Sequence, residues 1–257
     1  MGKIIAIANQ KGGVGKTTTA VNLSACLGDL GKKVLMVDFD PQGNATSGLG
    51  VNKREIKVST YDILIDGARP EAALVPQVCK NVDLLPCNLA LAGAEIELVD
   101  LENRTMRLRA PLLKLRDRYD FIFIDCPPSL GLITLNALAA CDSVLIPIQC
   151  EYYALEGLSQ LTNTIRQVKR LYNSGIEVEG VLLTMYDGRL NLTLQVVDEV
   201  KKFFPRKVYK TTIPRAVRLS EAPSFGTPVI YYDRGSKGTM AYYDLARELI
   251  HENGGKV

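Results

Sequence analysis

The chain is poor in the residues that build metal and disulfide frameworks. His251 is its single histidine, and its six cysteines (Cys26, Cys79, Cys87, Cys126, Cys141 and Cys150) include no CxxC pair. A four-ligand zinc site at motif spacing is therefore not expected. Most of the cysteines lie in apolar runs, which reads as small buried thiols in a reducing compartment. No apolar run approaches the roughly 18 residues a membrane span needs. Met1 to Ala8 is apolar but short and carries no cleavage pattern, so no secretory leader is expected. Gly2 suggests myristoylation, yet the position that would need Ser or Thr is Ala6. Repeats, low-complexity tracts and linkers are missing too, and the 257 residues are expected to form one domain, 1–257. A net charge of +3 is too small to indicate a nucleic-acid partner by itself.

What is present is an alternation of short β-branched runs and helical periodicities. Lys3 to Ala8 is too short for a helix and runs into glycines, so it reads as a buried parallel strand. Similar runs recur at Val34–Asp38, Val82–Pro86, Phe121–Asp125, Ser143–Pro147, Gly180–Thr184 and Lys207–Tyr209. Between them, Thr17 to Leu30 has helical spacing and stops at Gly31, a good C-cap residue. Leu192, Val196, Val200 and Phe203 follow a helical period, as does Gly238 to His251. This order predicts an α/β fold, a doubly wound, mainly parallel sheet with helices on both faces. Residues 50 to 80 are read as loop and short helix.

The first strand leads directly into Lys11-Gly-Gly-Val-Gly-Lys-Thr-Thr18, which opens the first helix. Backbone N–H groups of such a loop (Gly12, Gly13, Val14, Gly15 and onward to Thr18) point inward and cradle phosphates, with the helix dipole adding positive potential. Lys16 is placed to reach the β- and γ-phosphates, and the Thr17 hydroxyl to bind Mg²⁺. The usual pattern starts with Gly six residues before that lysine; here the position is Gln10, and an extra lysine, Lys11, follows. Asp125 closes a strand, where its carboxylate would hold the Mg²⁺ shell through a water. Asp38 and Asp40 end another strand at the ligand-binding edge of an open sheet. Asp40 is the candidate for acting on the attacking water. Guanine-reading P-loop proteins use Asn-Lys-x-Asp, which Thr184-Met-Tyr-Asp187 lacks, so adenine, hence ATP, is expected.

The extra lysine resembles the deviant Walker A motif of the ParA/MinD superfamily. Asp38-Phe-Asp-Pro-Gln-Gly-Asn44, Asp125-Cys-Pro-Pro-Ser129, Gln149-Cys-Glu-Tyr-Tyr-Ala-Leu-Glu-Gly157 and Ile213-Pro-Arg-Ala-Val-Arg-Leu-Ser-Glu-Ala-Pro223 narrow the resemblance to its ParA/Soj branch. The resemblance covers essentially the whole chain. It implies an ATP-sandwich homodimer in which Lys11 acts on the partner's nucleotide, Lys16 acts in cis, Thr17 holds Mg²⁺ and Asp40 acts on the hydrolytic water. It implies that Gly12 stays small because the partner packs there, and that Met185 and Pro214 flank the adenine. Where the family often has Asn after Pro-Arg, this chain has Ala216.

The resemblance also implies non-specific binding of double-stranded DNA, with Arg189 and Arg218 as the strongest contacts and Arg215 next. The charge pattern agrees: Val200 to Ser220 holds seven basic residues and no acidic one. A second basic run, Arg104 to Arg118, reads as an ordinary helix surface. The implied partner is a ParB-type centromere-binding protein that stimulates hydrolysis, and the implied location is cytoplasmic, at the nucleoid. A MinD-like membrane ATPase would need a basic amphipathic C-terminal helix, whereas Leu249 to Val257 reads as too short and polar to insert.

Overall fold

The computed structural model describes residues 1–151 and 154–255, without the side chains of residues 154–156. Tyr152 and Tyr153 of the Gln149–Gly157 motif, and the side chains of Ala154, Leu155 and Glu156, thus lie outside the described residues.

The strands are β1 (Lys3–Ile7), β2 (Val34–Asp38), β3 (Val75–Cys79), β4 (Val82–Leu85), β5 (Phe121–Asp125), β6 (Ser143–Gln149), β7 (Glu177–Tyr186) and β8 (Val208–Pro214). They form an 8-stranded sheet in the order β3-β4-β2-β5-β1-β6-β7-β8. Every neighbouring pair is parallel except β3 with β4. The strand order reverses around β1, so the crevice at its carboxyl end is where ligands bind in such sheets.

Side chains of each strand alternate between two cores. Ile4, Ala6, Leu35, Val37, Ile122 and Ile124 face one of them, closed by helices that include Leu132–Ala140, Ala154–Leu171 and Asn191–Phe203. Ile5, Ile7, Val34, Met36, Phe121 and Phe123 face the other, closed by Lys16–Asp29 and Lys237–Glu252. Burial on both faces explains why these strands read as continuous apolar runs. The doubly wound, mainly parallel architecture is the one the alternation predicts.

The segment read as loop and short helix is corrected: it contains the antiparallel edge strand β3. Its residues include Pro76 and a left-handed Gln77 at φ 50°, and its burial does not alternate. Pro is confined to edges because it cannot donate to the ladder, and it hides such a strand from pattern reading.

Five of the six cysteines are buried and all six are free, in keeping with small core thiols. Among the described residues, no helix is long and apolar enough to cross a membrane.

Candidate nucleotide site

Three strand ends converge at the carboxyl edge. Ile7 and Asp38 both lie in register with Asp125, one on each side of β5. The loop from Ala8 to Gly15 leaves β1 there and turns into the helix Lys16–Asp29. Gly13 and Gly15 adopt φ of 74° and 85°, the left-handed region where a side chain is strained. Gly12 differs: a Cβ there would meet nothing within 4 Å. Among the described residues, nothing requires Gly12 to be small.

The loop is fixed from both sides. Asn9 Nδ2 donates to Pro147 O at 2.7 Å, and its Oδ1 accepts from Lys11 N at 2.9 Å. Thr184 Oγ1 donates to Val14 O at 2.8 Å, joining the end of β7 to the loop. Lys16 is buried, and its Nζ donates to Lys11 O at 3.0 Å. This curls the side chain back over the loop, toward the space its amides enclose. Burial lowers the Lys16 ammonium from its ordinary range, opposed by Asp125, Cys126 and Asp40. Lys11 instead extends across the loop to Glu151, Nζ to Oε2 at 2.7 Å.

The carboxylates differ in what occupies them. Asp38 Oδ2 accepts from Thr46 N at 2.7 Å and from Thr46 Oγ1 at 2.6 Å, while Oδ1 accepts from Asp40 N at 3.3 Å. Burial pushes this carboxyl up to about 6 although the Thr46 hydrogen bonds oppose the shift. Asp40 is also buried but, among the described residues, its side chain holds only Gln42 N, at 3.0 Å on Oδ1. Asp125 is fully buried, and among the described residues neither of its oxygens has a hydrogen-bond partner within 3.5 Å, the Thr17 hydroxyl lying beside it. Burial and Asp38 raise its carboxyl well above the usual range; Thr17 and Lys16 pull the other way.

A buried carboxylate with two orphaned oxygens is strongly disfavoured unless something compensates it. A divalent cation with its water shell supplies that compensation. Among the described residues, no group of three or more His, Cys, Asp or Glu could hold a metal directly. The donor set thus fits Mg²⁺, which keeps waters and takes its remaining oxygens from phosphate.

Beside the loop, Gly15, Thr18, Met185, Pro214 and Ala216 line a cavity of about 130 Å³. Met185 sits at φ 49°, an unusual backbone state that places it at this cavity, and Tyr186 pairs with Pro214. The structure therefore brings together the two residues expected to flank a base. Ala216 contributes only a methyl group to the lining.

The three candidate DNA residues also lie at this edge. Arg189 is three residues beyond the end of β7, and Arg215 and Arg218 follow the end of β8. Arg189 is 89% exposed but forks onto Asp187, Nε to Oδ1 at 2.8 Å and Nη2 to Oδ2 at 2.7 Å. Arg218 pairs with Glu221 at 2.8 Å and Asp233 at 3.2 Å. Arg215 is exposed and has no acidic partner among the described residues. The ranking from sequence is thus altered in one respect: the lowest-ranked arginine is the one most available.

The basic run 200–220 is spread along β8, with the exposed Lys210 inside the strand. Lys201, Lys202, Arg206 and Lys207 precede β8 and Arg215 and Arg218 follow it. A strand of that length separates its ends by about 20 Å. Within the run Arg104–Arg118, Arg107 and Arg116 are internal clamps, Arg107 donating to Leu64 O and Ile65 O at 2.6 and 2.8 Å and Arg116 to Gly2 O at 2.7 Å, while Arg104, Lys114 and Arg118 are exposed.

Thr184, Asn9 and Thr46 hold the site, yet sequence reasoning assigned them no role. Only Thr184 carried a signal, as the last residue of a predicted strand.

A glycine-rich loop between a central parallel strand and a helix, with acidic ends on β5 and on β2 beyond it, defines a P-loop NTPase. Residues 2–178 match an AAA domain family. The sporulation initiation inhibitor protein Soj of Bacillus subtilis (strain 168) is 60% identical over 97% of this chain and 98% of its own length. The chromosome partitioning protein ParA of Myxococcus xanthus (strain DK1622) is 54% identical over 97% of this chain and 88% of its own. A solved structure described as cobyrinic acid a,c-diamide synthase from Mycobacterium smegmatis, with bound ATP analog and magnesium, superposes with a TM-score of 0.88 at 38% identity. It covers 100% of this chain and 97% of the other. The chain belongs to the ParA/Soj family of chromosome-partitioning ATPases.

Proposed function

We propose that this chain is a single-domain ATP-dependent switch that pairs with a second copy, binds double-stranded DNA without sequence preference and hydrolyses ATP slowly. A ParB-type centromere-binding partner stimulates hydrolysis, and the cycle segregates a chromosome or plasmid in the cytoplasm at the nucleoid. The observation that carries the nucleotide assignment is Asp125, whose two buried oxygens lack partners beside Lys16 and Thr17.

In this reading the amides from Gly12 to Thr18 cradle the phosphates and Lys16 neutralises them in cis. Thr17 and, through a water, Asp125 hold Mg²⁺, which when bound offsets charge on the transferring phosphoryl group. Asp40 orients the attacking water with the carboxylate oxygen that Gln42 leaves free. Asp38 is occupied by Thr46 and holds the turn instead. Met185 and Pro214 flank the adenine. Lys11 leaves Glu151 and reaches the partner's nucleotide, supplying a cation in the manner of an arginine finger. Gly12 meets none of the described residues within the single chain, which supports a packing constraint set by the second copy. Arg189, Arg215 and Arg218 contact phosphates.

Sedimentation of the wild type and of Gly12→Val with ATP tests the pairing step. The wild type should dimerise on ATP while Gly12→Val binds ATP and stays monomeric. Dimerisation of both alike would remove the loop from the interface.

A further inference from the structure

The three arginines at the carboxyl edge of β7 and β8 differ in what already occupies them. Arg189 forks onto Asp187 through Nε and Nη2, at 2.8 and 2.7 Å. Arg218 is held by two carboxylates, Nη1 on Glu221 Oε2 at 2.8 Å and Nε on Asp233 Oδ2 at 3.2 Å. Its guanidinium also lies 5.9 Å from the centre of the Tyr232 ring, and Tyr232 Oη donates to Glu221 Oε2 at 3.2 Å. Arg215 has no acidic partner among the described residues. Lys11 shows the same arrangement, held by Glu151 Oε2 at 2.7 Å, whereas the in-cis Lys16 donates to a carbonyl, Lys11 O at 3.0 Å.

A guanidinium presents its N–H groups as a planar fork that fits carboxylate and phosphate alike. A carboxylate in that fork therefore stands where phosphate oxygens would. Asp187 is preset for this, because its Oδ1 also accepts from Arg189 N at 3.1 Å and so fixes the carboxylate in the turn. The Arg189 hydrogen bonds hold its carboxyl down at about 2, which keeps both partners charged at neutral pH. The arrangement arises twice from unrelated neighbours: Glu221 ends the helix Val217–Glu221, and Asp233 follows the helix Val229–Tyr232. Exposed pairs of this kind are weak and salt-screened, so a row of phosphates displaces them.

We propose that Asp187, Glu221 and Asp233 are internal substitutes for phosphate, occupying Arg189 and Arg218 in the free chain and exchanged for DNA phosphates on binding. They are positioning residues: they align each guanidinium and hold the DNA affinity of one chain low. Arg215, which carries no such partner, makes the first contact. The proposal rests on the DNA-binding reading above and adds what regulates that surface.

Asp187→Asn is the test, because it removes the charge and keeps an Oδ1 acceptor for Arg189 N. A fluorescein-labelled duplex of arbitrary sequence is titrated by anisotropy against the full chain, with and without ATP. The variant should bind about threefold tighter without nucleotide and about ninefold tighter with ATP, since both patches of a dimer gain. The Glu221→Gln/Asp233→Asn double variant should also bind tighter, with its melting temperature measured because Arg218 ties two segments together. In an Arg189→Gln background, Asp187→Asn should give less than half of that gain on a logarithmic scale. In ¹⁵N spectra of the free chain, the Arg189 Nε proton should exchange with water faster in Asp187→Asn than in the wild type. An equal gain without Arg189 would mean that Asp187 merely repels DNA, and unchanged or weaker binding would mean that the fork presents the arginine to DNA; either overturns the proposal. An equal gain with and without ATP would remove the two-patch dimer from the proposed function and leave the carboxylate exchange standing.

Discussion

Thr46 gives both its amide and its hydroxyl to one oxygen of Asp38, at 2.7 and 2.6 Å, and so converts a site carboxylate into a structural one. Asp38 ends β2 and Asp40 lies two residues beyond it, and among the described residues Asp40 Oδ2 accepts no hydrogen bond.

Asp38→Ala should therefore destabilise the chain by about 1–3 kcal/mol, because Thr46 loses a buried acceptor. Asp40→Ala should leave the melting temperature and ATP affinity near wild type while turnover falls by about 10²–10⁴-fold, the range for a lost general base. Thermal melts and ATPase assays on both variants separate the two roles. Normal turnover in Asp40→Ala would move the water-orienting role elsewhere.

Asp125→Asn removes charge from a fully buried carboxylate that has no hydrogen-bond partner. The nucleotide-free variant should melt at or above the wild-type temperature, since a buried uncompensated charge opposes folding. Addition of Mg²⁺ and ATP should raise the wild-type melting temperature and raise the variant's far less. Chelation by EDTA should bring the two together. A full Mg²⁺-dependent rise in the variant would remove Asp125 from the metal site.

Thr184→Val is nearly isosteric and deletes one hydrogen bond, Oγ1 to Val14 O at 2.8 Å. A bond of this kind contributes about 1 kcal/mol, so ATP affinity should fall about fivefold if the loop relaxes. Calorimetric titration with a non-hydrolysable ATP analogue measures it. Unchanged affinity would mean that Asn9 alone fixes the loop.

Much of this was legible because it is local. β1, β2 and β5 are buried on both faces, so their apolar runs, and the acidic ends of β2 and β5, stood out without any knowledge of the fold. The loop from Lys11 to Thr18 declares itself by glycines whose backbone angles other residues avoid. β3 did not, because an edge strand with Pro76 and a left-handed Gln77 shows no period. The Thr46–Asp38 and Thr184–Val14 contacts join separate elements, and residue type alone does not indicate them. The basic run around β8 misled for the opposite reason: neighbours in sequence are carried to opposite edges of the sheet by the strand between them.

That division yields a prediction about DNA. Arg215→Glu, alone and with Arg189→Glu and Arg218→Glu, should weaken DNA binding uniformly across sequences and lower the salt slope by about 0.9 per phosphate contact removed. Lys201→Glu with Lys207→Glu, at the far end of β8, should change the slope little although the charge change exceeds that of Arg215→Glu alone. Equal losses from both ends would mean that total charge, and no particular edge, holds the DNA.

Equilibrium binding to two unrelated duplexes, with ATP, with ADP and without nucleotide across a salt series, tests the switch most directly. One chain presents few phosphate contacts, and joining two patches in a dimer raises the effective concentration of the second. The account predicts tight, salt-sensitive binding with ATP, equal on both duplexes, weak binding otherwise, and weak binding by Gly12→Val in every state. Equally tight binding in all three nucleotide states, or a strong preference for one duplex by the nucleotide-free chain, would contradict it.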